Sequence, residues 1–254
     1  MRRFLIAAAL LAAGTPAAAA ESAATLFTQG RFAEAIKVGT GEGMPAGLIA
    51  AGRSRLQIAA YDTTDKAKAK AMVEAAIGDF SAALAKDPAN REAALQQAIA
   101  NGYVAKLERS AGGAKVMKRS LEALLAKYPD DAQAWTALGA WHGGSIATLG
   151  SFIARTVIGA TTDGMNKAFA RATALAPNDG VNLTFYALTL MDIDAGNADR
   201  AKTLLQRAAA LKPDDAFERQ VQGSGTKVLA AINAGDAKAA QRLAHQLLPF
   251  GTVR

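Results

Sequence analysis

The chain has 254 residues, a formal net charge of +7 and no cysteine. Without cysteine there is neither a disulfide nor a thiol for lipid acylation, so packing alone must hold the chain in an oxidising compartment. Apolar residues make up 51% but aromatics only 6%; the excess is alanine, the best helix former, and β-branched runs are few, which predicts an all-α fold.

In chain order, the first element reads as a targeting segment. Arg2 and Arg3 precede an apolar run from Phe4 to Ala13, too short to span a bilayer. Thr15 and Pro16 break the run, and Ala18, Ala19 and Ala20 before Glu21 form a small-residue cleavage site. This predicts a signal peptide over 1–20, cleaved after Ala20, and a mature domain over 21–254. An alanine-rich signal on a chain without cysteine points to a bacterial periplasm. Losing Arg2 and Arg3 takes the charge from +7 to +5. An exported, mildly basic chain is not expected to meet nucleic acid, whereas anionic envelope surfaces are within reach.

Helices are expected over 22–29, 32–39, 45–60, 64–86, 90–107, 113–127, 131–143, 147–158, 163–175, 180–195, 198–211, 215–233 and 236–247, with no strand pattern. Four of them end alike: LAKDPAN at 84–90, LAKYPDD at 125–131, TALAPND at 173–179 and AALKPDD at 209–215. In each, proline is followed two residues later by Asn or Asp. Proline cannot continue a helix, and Asn or Asp caps the next one. Eight residues before each proline stands Phe80, Leu121, Phe169 or Leu205, and three further on stands Ala83, Leu124, Ala172 or Ala208. Each pair marks one helix face. Pro88, Pro129, Pro177 and Pro213 are 41, 48 and 36 residues apart, near the roughly 34-residue period of a helix–turn–helix repeat with insertions.

Trp135, Leu138 and Gly139 reproduce the Trp-x2-Leu-Gly-x2-Tyr pattern of the tetratricopeptide repeat family, with His142 in the tyrosine place. Ala76 with Phe80, and Ala201 with Leu205, match its Ala-x3-Phe; Met165 with Phe169 is a degraded form. GRFAEA at 30–35, GNADRA at 196–201 and GDAKAA at 235–240 are half-signals, a glycine turn followed five residues on by a small packing residue. The chain resembles this family over most of 21–250, most clearly at 129–213. The resemblance implies an α-solenoid of stacked antiparallel helix pairs, with helical insertions and a concave face. It implies structural roles for Trp135, Leu138, Gly139, Phe169, Ala172, Pro177, Ala201, Leu205, Ala208 and Pro213. It also implies a groove lined by Thr136, Ala140, Thr184, Leu188 and Met191 that takes a protein or extended peptide. Residues 132–213 are similar, besides, to the tetratricopeptide region of regulator-of-microtubule-dynamics proteins, which carry a Leu-Gly-x-Trp segment and then an apolar insertion. In an exported bacterial chain that likeness implies shared repeat ancestry rather than microtubules. Trp141 and His142, one turn beyond Gly139, are expected in the core.

Two insertions interrupt the repeats. The first runs near 101–120, where Lys106, Arg109, Lys115, Lys118 and Arg119 face only Glu108. Lys115, Lys118 and Arg119 share one helix face, a candidate anion-binding surface or else a solvated face. The second, GSIATLGSFIARTVIGATT at 144–162, has the length of a membrane span but holds Arg155 and several glycines. Ile153, Val157 and Ile158 predict an extra packing helix, with partner or peripheral membrane contact as the other reading.

Catalytic signatures fail. His142-Gly143-Gly144-Ser145 has the look of an esterase oxyanion loop, but the nucleophile elbow lacks its last glycine and its strand. Gly223-Ser224-Gly225-Thr226-Lys227 lacks the Gly-Lys-Ser/Thr order of a phosphate loop and reads as a flexible helix break. Asp192 and Asp194 fall on different faces, and His142 and His245 make no metal set. The expectation is a non-enzymatic periplasmic scaffold that needs no cofactor or metal and binds a protein or peptide. The alternative is an envelope surface binder that uses 106–119 and 144–162 on anionic lipid or cell wall.

Overall fold

The computed structural model describes residues 21–254, so the signal-peptide reading of 1–20 lies outside the described residues. Thirteen α-helices follow one another, and no strand occurs among the described residues. They are α1 (Ala23–Gln29), α2 (Phe32–Glu42), α3 (Pro45–Gln57), α4 (Lys66–Lys86), α5 (Arg91–Glu108), α6 (Ala111–Lys127) and α7 (Ala132–Leu149). After these come α8 (Ser151–Ile153), α9 (Thr162–Leu175), α10 (Gly180–Ile193), α11 (Ala198–Ala209), α12 (Ala216–Asn233) and α13 (Ala237–Leu247). Single π-helical turns extend α3 over Ile58–Asp62 and α8 over Ala154–Ile158.

The proline boundaries form as the pattern predicts. The side chains of Asn90, Asp131, Asp179 and Asp215 accept from the backbone N–H groups of Ala93, Ala134, Asn182 and Glu218, at 2.8–3.0 Å. Each such cap is worth about 1 kcal/mol. The face before each proline is buried: Phe80, Leu121 and Phe169 are fully enclosed, and so is Leu205 but for 2% of its surface. The small residues of the glycine-turn signals, Ala35, Ala201 and Ala240, are buried as well.

Helices pack in pairs, α1 with α2, α3 with α4, α5 with α6, α7 with α9, α10 with α11 and α12 with α13, and each pair packs on the next. Glycines on the first helix of a pair set the closeness. A Cβ on Gly139 would stand 2.7 Å from the ring of Phe169, and one on Gly52 would stand 2.5 Å from the ring of Phe80. Neither position has room for a side chain.

Two glycine readings change. The expected interruption after 143 is absent: α7 runs through Gly143 and Gly144 to Leu149. Gly143 serves close approach, since a Cβ there would stand 2.0 Å from Thr189 on α10. The expected break at 223–227 is likewise absent, and α12 is continuous. There Gly225 admits Leu205 and Thr184, each 2.9 Å from where its Cβ would be.

The last pair returns to the first. Phe217 of α12 packs with Ala23, Leu26 and Phe27 of α1, and Gln57 Nε2 on α3 donates to Gln220 Oε1 on α12. The stack therefore curls until its two ends touch.

Candidate functional site

The curled stack surrounds a half-open lumen of about 610 Å³. One helix from each pair faces it: α1, α3, α5, α7, α10 and α12 contribute lining residues, joined by the start of α6, while α2, α4, α9, α11 and α13 contribute none. The wall is largely apolar and aromatic, with Leu56, Tyr61, Leu95, Ile99, Tyr103, Trp141, Phe185 and Phe217. Polar groups are interspersed along it, and several are tied. The Arg53 guanidinium pairs with Glu92 at 3.0 Å and lies 4.2 Å over the Phe27 ring. Thr136 Oγ1 donates to Asn182 Oδ1 at 3.1 Å, joining α7 to α10. A volume of this order with a few placed polar groups is typical of a ligand-binding site.

One end of the lumen is held by the C-terminal tail. Leu248 and Pro249 line it. Phe250 is buried among Leu56, Ala60, Tyr61 and Tyr103, its ring edge-on to Tyr103 at 4.9 Å. The Phe250 N–H donates to Ala60 O at 2.9 Å, within the π-helical turn, and the Arg254 N–H donates to Thr64 O at 2.9 Å. Lys106 Nζ donates to Pro249 O at 2.8 Å. Phe250 adopts φ 62°, a left-handed conformation costly for an aromatic residue and sustained by these contacts. Gly251 must be glycine, because a Cβ would stand 2.0 Å from His245 O.

Lys106 lines the lumen. Protein surrounds its ammonium, and this desolvation pulls it below the ordinary lysine range, opposed by the charge of Asp192. Asp192 Oδ1 lies 2.8 Å from His245 Nδ1. Burial raises the Tyr61 and Tyr103 phenols, so both stay protonated.

The structure divides the residues expected to bind. Thr136 and Ala140 line the lumen as expected. Thr184, Leu188 and Met191 do not: they are buried between α10 and the helices after it, with Leu188 and Met191 packed on Leu205 and Val228. The more apolar stripe of α10 is spent on helix packing. The neighbouring stripe of Val181, Asn182, Phe185, Thr189 and Asp192 faces the lumen. The basic group also separates. Lys106 and Arg109 line the lumen, whereas Lys115 and Arg119 point outward from α6. Lys118 is half-buried, pairs with Glu122 at 3.3 Å and lies 5.8 Å from the Trp141 ring centroid.

Trp141 and His142 occupy the core, at 6% and 7% exposure. His142 Nδ1 accepts from the Thr161 N–H at 3.1 Å. Burial, and secondarily the charge of Lys118, lower its pKa to about 4, so it is neutral near pH 7. Asp194 caps the short turn at Gly196. No group of three potential metal ligands assembles among the described residues.

The tail and the aromatic wall residues Phe27, Tyr61, Tyr103 and Phe217 went unread in the sequence. The one local signal was the apolar Leu248-Pro249-Phe250-Gly251 just beyond an amphipathic helix.

The family described as regulator of microtubule dynamics protein 1-3 matches residues 46–233, well over half of the chain. No curated protein matches the chain.

Proposed function

We propose a non-enzymatic binding scaffold, and the premise is membership: the chain belongs to the regulator of microtubule dynamics protein 1-3 family. Its helix pairs act as tetratricopeptide-type repeats, and the lumen receives an extended segment of another protein. The supporting observation is that the wall already holds one segment by its backbone, the chain's own tail, which is folded there into two successive turns. Two backbone N–H groups, one carbonyl and one buried aromatic ring secure it. These are the contacts by which grooves grip peptides: main-chain hydrogen bonds for affinity and a pocketed side chain for specificity. A preformed wall orders only the ligand, which limits the cost of binding.

The location belongs to the same proposal. Export to a bacterial periplasm rests on the sequence of residues 1–20 and on the absence of cysteine. No cofactor or metal enters this reading.

Photo-crosslinking in the native cell tests it. A photoreactive side chain replaces either Phe185, on the lumen wall, or Gln206, exposed on α11. The expected result is a discrete protein adduct from position 185 and none from 206. Equal capture from both positions, or none from either, would remove the lumen as the binding site.

A further inference from the structure

The insertion at 144–162 builds a surface that the lumen does not use. Five large apolar residues stand exposed among the described residues, and four of them fall on two elements that pack together. Phe152, Ile153 and Val157 lie on α8 and its π-helical turn, and Val116 lies on α6. Phe152 is 69% exposed, and exposed apolar residues that cluster mark interaction sites, whereas scattered single ones do not.

The segment is shaped as a projection with a fixed base. Gly150 and Gly159, at φ 77° and 75°, turn the chain out and back. Ala154, Ile158 and Ala160 are buried in the cluster that holds Met117, Leu121 and Trp141. The base is therefore welded to α6 and α7. The outward residues are held apart from the core by that anchoring, and none of them is needed to build it.

The charge around the projection has one sign. Residues 132–162 contain no acidic residue and one cation, Arg155. Residues 110–121 contain no acidic residue and three cations, Lys115, Lys118 and Arg119. Lys118 Nζ lies 3.8 Å from where a Cβ on Gly159 would stand, so the two elements meet at this charge. Lys115, Arg119 and Arg155 are exposed and make no ion pair among the described residues. The acids that flank these stretches in the sequence, Glu108, Glu122, Asp131 and Asp163, are already paired with Lys70, Lys118, Arg91 and Lys167.

We infer that this face docks on an anionic lipid bilayer, with Phe152, Ile153 and Val157 entering the headgroup boundary and Lys115, Arg119 and Arg155 meeting lipid phosphates. An apolar tip rimmed by unpaired cations is the chemistry of an interfacial anchor. An exposed apolar tip beside unpaired cations can enter a fluid bilayer surface directly, whereas a protein partner would have to supply a matching cavity. No helix among the described residues is long and apolar enough to cross a membrane, so the protein lies on the bilayer. Three side chains and three cations give reversible binding, each cation contributing about fivefold in partition at low salt. Salt screens that part.

Vesicle cosedimentation of the full chain decides it, with phosphatidylcholine vesicles containing one-third phosphatidylglycerol compared with phosphatidylcholine alone. The expected result is pelleting with the anionic vesicles that falls with added salt. Replacing Phe152 and Val157 together by Ser should remove most of it, and Arg155→Gln should lower it about fivefold. These residues are exposed, so the variants keep their helical circular dichroism. As a second readout, Phe152→Trp fluorescence should be quenched by brominated lipid. Pelleting that survives the paired Ser substitution, absence of pelleting, or an unquenched Phe152→Trp would each overturn the inference. So would a chain that ignores vesicles and crosslinks through position 152 to a second protein.

Discussion

At the scale of single residues, His142 shows how context decides role. Beside two glycines and a serine it had the appearance of catalytic sequence, yet it sits at 7% exposure with Nδ1 committed to the Thr161 N–H. Its depressed pKa has a consequence for stability. The unfolded chain carries a histidine near its ordinary value of 6.5, the folded one titrates near 4. As pH falls from 6.5 toward 4, the unfolded state takes up a proton that the folded state refuses, so stability falls with pH. The slope from this one group is at most about 1.4 kcal/mol per pH unit. Urea unfolding of the wild type and His142→Gln across that window should show the variant less pH-dependent by up to this slope. Equal pH dependence would mean that His142 titrates normally.

At the scale of elements, local chemistry was legible. Proline followed two residues later by Asn or Asp is a complete helix stop and start, and all four sites carry the expected cap. The residue eight before each proline is buried because it lies on the face toward the partner helix. Glycine was the ambiguous letter. The sequence cannot say whether glycine frees the backbone or removes a side chain, and at Gly143 and Gly225 it is the second. At α10 the helix-packing face was taken for the groove face: Thr184, Leu188 and Met191 are buried against the following helices, and the more polar stripe of Val181, Asn182, Phe185, Thr189 and Asp192 faces the lumen. The close approach itself is testable. Gly139→Val forces a side chain against the Phe169 ring and should cost about 2–3 kcal/mol in denaturant unfolding. Combining it with Phe169→Leu, which opens space, should cost less than the sum of the two single changes. Strict additivity would show that the two residues do not press on one another.

At the scale of the whole molecule, the curl of the stack was not legible. Gln57 and Gln220 are 163 residues apart when they meet, and Phe250 reaches Ala60 from the far end of the chain. No periodicity or motif spans such distances; they follow from the summed rotation between successive pairs. This closure turns an expected open groove into a lumen with a tail seated at one end. It also separates Lys106, inside, from Lys115 and Arg119, outside, although the sequence sets them within fourteen residues. Two surfaces result. One is the aromatic wall of a half-open lumen, the other a projecting apolar tip beside unpaired cations.

We propose that the lumen wall grips a segment of its partner by the backbone and one aromatic ring, as it holds the chain's own tail. The most direct test uses a chain ending at Leu248, which keeps all thirteen helices, and a fluorescent peptide of the missing tail, LPFGTVR without its first residue. Fluorescence anisotropy should show saturable binding to the shortened chain, and little to the intact chain, whose own tail holds the site. A peptide with alanine in place of phenylalanine should not bind. Equal binding of the two peptides, or none by the phenylalanine peptide to a folded shortened chain, would contradict the account.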